Sequence, residues 1–271
     1  MNKILLLCAA LMLAAICHAS KVDTIGVYSD AMHKKIKCVV VTPDSYEKND
    51  KRFPVIYMLH GYSGNYSQWV SIAPDNVTAA DKLDVILVLP DGGYGSWYLD
   101  SPVDSSIRYE TFVSKELVKY IDATYKTAAD KQHRAITGLS MGGHGALYLA
   151  SRHKDIYGAA GSTSGGVDFR PFPKNWDLAK DLGSYETNKQ NWDDNTVMTN
   201  IDRLQNGDVK LIIDCGVGDF FIDVNRQLHK KLLEKKIDHD YIERPGEHNG
   251  QYWSNSIKYQ LLFFKNYFEG K

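Results

Sequence analysis

Short runs of β-branched and aromatic residues alternate along this chain with amphipathic stretches, and this alternation constrains the fold more than any other feature. We predict strands at residues 36–41, 53–60, 85–89, 133–138, 156–161, 209–215 and 239–242. Apolar residues near helical spacing predict helices at residues 109–125, 141–153, 220–235 and 251–268. Strands that alternate with helices predict an α/β protein with a mostly parallel central sheet and helices on both faces.

No internal repeat or Pro/Ser-rich linker divides the chain of 271 residues, of which 44% are hydrophobic. A chain of this length and composition can close one substantial core, so we expect a single domain over residues 20–271. Residues 162–191 have weak periodicity and several Gly, Pro and Trp residues. We expect a loop there, lying over a site or simply connecting elements at the surface.

The N-terminus differs from the rest of the sequence. Lys3 precedes an unbroken apolar run at residues 4–16, and Cys17-His18-Ala19 follows it. This pattern predicts a signal peptide over residues 1–19, cleaved after Ala19, and export to the periplasm or outside the cell. The run is shorter than the roughly 20 residues that a membrane span needs, so stable membrane insertion is not expected. Lipoprotein anchoring through Cys17 is the weaker alternative, because Ile16 is a bulky neighbour.

Charge and cysteine content exclude several classes of partner. The formal net charge is −1, so the sequence lacks the basic footprint that binding to a nucleic acid requires. Beyond residue 19 only Cys38 and Cys215 remain, in predicted strands far apart in sequence, and we expect buried free thiols. No cysteine or histidine cluster has metal-ligand spacing, and no metal or cofactor is predicted.

The segment Gly138-Leu139-Ser140-Met141-Gly142 lies between a predicted strand and a predicted helix. This G-x-S-x-G arrangement is typical of a nucleophile elbow, a strained turn that exposes a reactive serine. Glycine two residues before and after the serine lets neighbouring backbone approach closely. We therefore predict that Ser140 is a catalytic nucleophile.

A serine hydroxyl needs a base to take its proton, and proteins with this elbow carry the acid and then the histidine later in the chain. Asp219 follows the strand at 209–215 on a glycine-rich turn and is the preferred acid. Asp214, inside the strand, and Asp223, on the next helix, are weaker alternatives. His248, on a turn-rich loop after the last strand, is the predicted base.

His60 and His144 precede the acid in the chain, so we expect structural hydrogen bonding from both. A tetrahedral intermediate needs two backbone N–H donors in an oxyanion hole. Met141, directly after the nucleophile, is predicted to supply one. Tyr62, on the loop after the strand at 53–60, is the first choice for the other, with Gly61 second.

Together these motifs resemble the esterase D family of α/β-hydrolases, and the resemblance covers nearly all of residues 20–271. Its most specific elements are Leu59-His60-Gly61, Pro90-Asp91-Gly92, the elbow at Ser140, Cys215-Gly216-Val217-Gly218-Asp219-Phe220 and Pro245-Gly246-Glu247-His248. The resemblance implies the α/β-hydrolase fold, with Asp219 and His248 where the family carries its acid and base. Ser96-Trp97-Tyr98-Leu99-Asp100 and Tyr252-Trp253 are similar to the tributyrin and feruloyl esterase branch.

We therefore expect a serine carboxylic ester hydrolase that removes acetyl or feruloyl groups from plant-type carbohydrate esters. Aromatic residues on loops near the predicted site suit stacking on phenolic groups or sugars. They are Tyr62, Tyr66, Trp69, Tyr94, Trp97 and Tyr98, of which Trp69, Trp97 and Tyr98 are the predicted substrate-binding residues.

Several alternatives stay open at this point. They are a short-chain esterase of the tributyrin type, a thioesterase similar to S-formylglutathione hydrolases, an acyltransferase with the same triad, and a non-enzymatic carbohydrate-binding protein. The presence of all three triad residues disfavours the last. The predicted partner is a small-molecule or oligosaccharide ester, and the sequence does not determine the oligomeric state.

Overall fold

An eight-stranded sheet forms the centre of the computed structural model, which describes residues 20–271. The strands lie in the spatial order β1-β2-β4-β3-β5-β6-β7-β8. Their bounds are β1 Lys21–Ser29, β2 Lys34–Thr42, β3 Val55–Leu59, β4 Ile86–Pro90, β5 Arg134–Gly138, β6 Ala159–Thr163, β7 Lys210–Gly216 and β8 His239–Arg244.

The six strands from β3 to β8 pair in parallel, whereas β1 and β2 form an antiparallel hairpin. Strand β2 joins this hairpin to β4, again antiparallel. The predicted α/β-hydrolase fold with a mostly parallel sheet is thus confirmed. Because the parallel strands share one direction, their carboxyl ends meet along one edge, where such sheets form their sites.

Helices cover both faces of this sheet. Their bounds are α1 Gln68–Ile72, α2 Asp75–Leu83, α3 Tyr109–Thr111, α4 Val118–Thr124, α5 Met141–Arg152, α6 Leu178–Leu182, α7 Lys189–Asn195, α8 Val197–Asn200, α9 Ile222–Glu234 and α10 Gly250–Phe268. A π-helical segment, Phe112–Leu117, joins α3 to α4, and 3-10 turns lie at Lys131–His133 and Ile201–Arg203.

Two apolar cores result from the alternation of side chains along the strands. In β3, Val55, Tyr57 and Leu59 pack on one face with α5 and α9. Ile56 and Met58 face the opposite side and pack with α1, α2 and α10. The sheet is therefore held from both sides along its whole length.

Cys38 and Cys215 are buried free thiols, as predicted. Burial raises the pKa of both thiols well above the ordinary value. Between residues 20 and 271, no helix is long and apolar enough to cross a membrane. The predicted signal peptide at residues 1–19 lies outside the described residues.

Two sequence-based boundaries need correction. The strand predicted at 156–161 lies later, at Ala159–Thr163, because Ile156 and Tyr157 belong to a turn whose amides donate to the His153 carbonyl. The stretch 162–191 is not all loop, since it begins within β6 and contains α6.

Candidate active site

Ser140 lies on the turn between β5 and α5, at the carboxyl edge of the sheet. Its backbone adopts φ 54° and ψ −115°, a strained conformation for a residue with a side chain. A Cβ added at Gly138 would lie 2.3 Å from the Gly142 carbonyl carbon, and one at Gly142 would lie 2.4 Å from the Leu59 carbonyl oxygen. These distances require glycine on both sides of the elbow, in agreement with the predicted close approach.

Two loops bring the predicted acid and base to this edge. Asp219 follows β7 on a turn in which its amide donates to the Gly216 carbonyl at 3.0 Å. Next to it, the amide of Gly218 donates to the Gly246 carbonyl of the histidine loop at 2.9 Å. A Cβ at Gly216 would lie only 2.5 Å from that same carbonyl oxygen. Direct backbone contact therefore sets the spacing between Asp219 and His248.

Helix α10 holds the other end of the histidine loop. Asn249 is its N-cap, and the Asn249 side chain accepts a hydrogen bond from the Tyr252 amide at 3.0 Å. Such a cap fixes the direction in which the chain enters a helix. His248 directly precedes this cap, so its backbone is anchored on both sides.

The three side chains form one continuous hydrogen-bonded line. His248 Nε2 lies 2.9 Å from Ser140 Oγ. His248 Nδ1 lies 2.9 and 3.0 Å from the two carboxylate oxygens of Asp219. Because an ionised carboxylate only accepts, Nδ1 carries the proton and Nε2 is left to accept from the serine hydroxyl. Asp219 is itself held by the amide of Phe221, which donates to Oδ1 at 2.8 Å.

Two backbone amides on the segments around Ser140 make no hydrogen bond within the described protein. Across the described part of the chain, neither Tyr62 N nor Met141 N has a hydrogen-bond partner. Gly61 N, the second choice, already donates to Gln68 Oε1 at 2.8 Å. A Cβ at Gly61 would lie 3.5 Å from Ser140 Cβ, so this loop packs against the nucleophile. The geometry favours Tyr62 over Gly61 as the second donor.

The alternative acids are engaged elsewhere. Asp214 is fully buried in β7, where Thr163 Oγ1 donates to it at 2.7 Å and Gln260 Nε2 at 2.8 Å. Burial raises its pKa despite these bonds. Asp223 has a largely exposed side chain and lies 3.6 Å from Arg226. Neither contacts His248.

His60 and His144 are buried and hydrogen-bonded to backbone, as predicted. His60 Nε2 accepts from the Gly92 amide at 2.7 Å. The ring nitrogens of His144 lie 3.1 and 2.9 Å from the carbonyl oxygens of Trp97 and Asn195. Burial lowers the pKa of His144 to about 4, so its ring is neutral at pH 7.

The predicted substrate-binding role of Trp69, Trp97 and Tyr98 is wrong, because all three belong to the apolar cores. Their exposed fractions are 1%, 1% and 0%. Trp69 Nε1 donates to the Leu59 carbonyl at 2.9 Å, and Tyr98 OH donates to the His60 carbonyl at 3.1 Å. These aromatic residues support the loops around the site but present no face to a ligand.

Other aromatic residues surround the histidine instead. The Phe220 ring is 52% exposed and lies 4.3 Å from the His248 ring, centroid to centroid. Trp176 stacks on Phe220 at 6.0 Å, and Trp253 lies edge-on to His248 at 5.0 Å. Sequence analysis did not assign them to the site. Phe220 and Trp253 lie next to triad loops in sequence, but Trp176 lies in the irregular 162–191 stretch.

A family comparison extends this picture, because the family model described as "Putative esterase" matches residues 29–264. The chain belongs to this esterase family. The class predicted from the sequence, a carboxylic ester hydrolase, is confirmed at the level of the family.

Individual relatives carry related names. An acetyl esterase of Caldicellulosiruptor saccharolyticus is 27% identical over 256 residues, which cover 86% of this chain and 94% of that protein. An esterase of Mycobacterium tuberculosis is 34% identical over 136 residues, covering 48% of this chain but only 29% of that longer protein. A solved ferulic acid esterase superposes with a TM-score of 0.76 at 29% identity, covering 93% of this chain and 99% of its own.

Within residues 20–271, no group of three or more His, Cys, Asp or Glu side chains is arranged to hold a metal ion. The site described above consists of a serine, a histidine, a carboxylate and backbone amides. This donor set suits proton transfer and stabilisation of an oxyanion.

Proposed function

We propose that this esterase hydrolyses carboxylic esters through an acyl-enzyme at Ser140. Ser140 Oγ attacks the ester carbonyl while His248 Nε2 takes the hydroxyl proton. Asp219 keeps the Nδ1 proton in place and stabilises the imidazolium. The amides of Tyr62 and Met141 donate to the carbonyl oxygen as it becomes an oxyanion.

Collapse of this intermediate breaks the C–O bond to the alcohol, and the alcohol oxygen leaves with the proton from His248. Water then attacks the acyl-enzyme, with His248 again taking the proton, and the acid is released as Ser140 is restored.

The observation that carries this proposal is the line from Ser140 Oγ through His248 to Asp219, with all contacts between 2.9 and 3.0 Å. Such a line needs three separate loops to meet at one edge of the sheet. The strained φ of Ser140 supports the same role, because strain of about 1–3 kcal/mol tends to persist at functional positions.

For the substrate, we propose an acetyl or hydroxycinnamoyl ester, such as feruloyl, of a plant-type polysaccharide or oligosaccharide. The exposed ring of Phe220 beside His248 and the ring of Trp176 stacked on it offer apolar faces for an aromatic acyl group. The names of the acetyl esterase and ferulic acid esterase relatives agree with such esters.

Export and a single domain over residues 20–271 belong to the same proposal. The apolar run at residues 4–16 supports export, since an exported esterase would encounter polymers rather than cytosolic thioesters. N-terminal sequencing of the protein from the medium or periplasm should begin at Ser20. A protein retained inside the cell with residues 1–19 intact would contradict export.

The first test is the Ser140→Ala variant on an activated aryl ester, in a host lacking its own esterases. We expect loss of turnover with an unchanged melting temperature, because one hydroxyl contributes little to packing. His248→Ala should be comparably inactive, and the double variant hardly worse, because triad residues act as a unit. Turnover near the wild-type rate by Ser140→Ala would overturn the mechanism.

The second test compares kcat/KM for methyl ferulate, an acetylated xylo-oligosaccharide, a short triglyceride and S-formylglutathione. The proposal predicts that the first or second is preferred. Preference for the triglyceride would agree with esterase activity but contradict the proposed carbohydrate ester substrate. Preference for S-formylglutathione would support a thioesterase.

A further inference from the structure

A cavity of about 300 Å³ has no triad residue in its lining, and its wall at Gly95 packs against the ring of Tyr62. Its walls come from the loop after β4, the chain around Tyr109, and α6. Gly93 and Gly95 flank Tyr94 in the first wall. A Cβ at Gly93, where φ is +71°, would lie 2.7 Å from Tyr109 OH, so glycine keeps the cavity open there.

Asp181 is the unusual group in this cavity. The residue is only 5% exposed, and its side chain lines the cavity wall. Within residues 20–271, its carboxylate has no hydrogen-bond or ion-pair partner, although its backbone carbonyl accepts from Ser101 Oγ. The Asp181 oxygens are not among the fully buried atoms without a partner, so they can accept hydrogen bonds from water or from a ligand that enters the cavity. Burial, with Asp104 and Asp177 nearby, raises the pKa of this carboxyl to about 7.

The other polar groups of the cavity indicate what kind of ligand fits. Lys34 Nζ donates to Tyr109 OH at 3.3 Å, and Lys180 pairs with Asp177 at 3.0 Å. With two lysines and two aspartates in its lining, the cavity carries no excess charge. A neutral ligand with several hydroxyls matches this wall, because hydroxyls both donate to a carboxylate and accept from an ammonium.

A row of aromatic residues connects the cavity to His248. Phe220 packs on the histidine ring, and Trp176 stacks on Phe220. Asp177, next in the chain, accepts from Tyr62 OH at 2.8 Å. Tyr62 packs edge-on against Tyr94 at 5.0 Å, and Tyr94 is 65% exposed at the cavity mouth.

We propose that this cavity is a sugar-binding subsite for the alcohol side of the substrate, with the Asp181 carboxylate accepting hydroxyl hydrogen bonds and the Tyr94 ring stacking on a sugar face. The inference rests on the proposed function for the position of the ester. The loop of Tyr62 links the two places: a Cβ at Gly61 would lie 3.5 Å from Ser140 Cβ, and one at Gly95 in the cavity wall would lie 2.9 Å from the Tyr62 ring.

The test uses Asp181→Ala and Tyr94→Ala, with Asp155→Ala as a matched control on an exposed turn. For each protein, kcat/KM is measured on an acetylated xylo-oligosaccharide and on an aryl acetate without a sugar. Loss of a hydrogen bond to a charged group should lower the ratio of the two values by about tenfold in Asp181→Ala, mainly through KM. Tyr94→Ala should lower it by several-fold, and Asp155→Ala should leave it unchanged.

Binding is measured separately from turnover, by calorimetric titration of the Ser140→Ala protein with xylotriose. We expect weak saturable binding that Asp181→Ala removes. If the wild type hydrolyses both esters but neither variant changes the ratio, and xylotriose does not bind, the subsite is wrong while the esterase stands. If the wild type hydrolyses neither ester yet xylotriose binds through Asp181, the proposed function fails and the subsite stands.

Discussion

Asp219 and Asp223 lie four residues apart, yet their surroundings differ. The Asp219 side chain is fully buried against His248, whereas that of Asp223 is 82% exposed. If Asp219 holds the imidazole tautomer, Asp219→Asn should lower kcat on an aryl acetate by roughly 10⁴-fold, by analogy with serine proteases. Asp223→Asn is the matched control and should change kcat by less than about twofold. The reverse ranking would assign the acid to Asp223.

Phe220 provides a second prediction at the level of single residues. Its ring packs on His248 and is exposed on the outer side, so an aromatic acyl group can contact it. Phe220→Ala should lower kcat/KM for methyl ferulate, relative to an aryl acetate, by about three- to tenfold, since aromatic pairs contribute about 1 kcal/mol. Tyr28→Ala removes a similarly exposed ring on β1 and should leave the ratio unchanged. An equal loss on both esters would mean that Phe220 only positions His248.

The sequence was sufficient to predict that Ser140, His248 and Asp219 lie together. It was not sufficient to predict which aromatic residues surround them. Ser140, Asp219 and His248 each follow or precede a regular element and are marked by glycines that backbone contact requires. No neighbouring residue in the sequence indicates whether an aromatic side chain lies in the core or at the site. Trp97 in the core and Trp176 beside the site differ in tertiary packing, which local spacing does not encode.

At the level of elements, the strand-to-helix elbow has the strictest steric requirement. Gly142→Ala places a methyl group 2.4 Å from the Leu59 carbonyl, against backbone that cannot rotate away. We expect a loss of at least about 2 kcal/mol in the free energy of unfolding, together with a fall in kcat, because β3 and the loop after it must shift. Urea unfolding and aryl acetate kinetics measure the two effects.

Gly250→Ala is the matched control, also at the first turn of a helix. The closest atom to its added Cβ would be Ile72 Cγ2 at 3.6 Å, an ordinary contact. The variant should be unchanged or more stable by at most about 1 kcal/mol. Equal stability of the two alanine variants would contradict the steric account of the elbow.

The strands and helices with the clearest hydrophobic patterns in the sequence were predicted most accurately. Strands β2, β3, β4, β5, β7 and β8 were predicted within two residues of their observed bounds, because each contains β-branched, aliphatic or aromatic residues between turn-rich segments. Strand β1 was missed because Lys21–Ser29 is an edge strand with several exposed positions and a central glycine. Helices α1 and α6 have five residues each, too few for helical periodicity to emerge.

For the whole molecule, Asp181 connects stability to pH. Its pKa is raised from 3.8 to about 7, mainly by burial. Between about pH 4 and 7 the unfolded chain releases this proton while the folded protein keeps it, so stability falls as the pH rises through that range and is fully present below it. Asp181→Asn removes this loss.

We therefore expect Asp181→Asn to have the same unfolding free energy as the wild type near pH 4 and a higher one at pH 8. Urea unfolding at a series of pH values measures the difference. A difference that does not change with pH would show that the carboxylate finds a partner in the free protein. The variant should gain stability and lose part of its preference for the acetylated xylo-oligosaccharide over the aryl acetate, because functional sites often reduce stability.

The central claim, an acyl-enzyme at Ser140, is tested most directly by trapping the intermediate. The protein is mixed with excess aryl acetate, quenched in acid within the burst phase, digested and analysed by mass spectrometry. The account predicts one acetyl group per protein, on the peptide containing Ser140, and none in Ser140→Ala. A burst with the acetyl group on another residue, or steady turnover by Ser140→Ala, would contradict it.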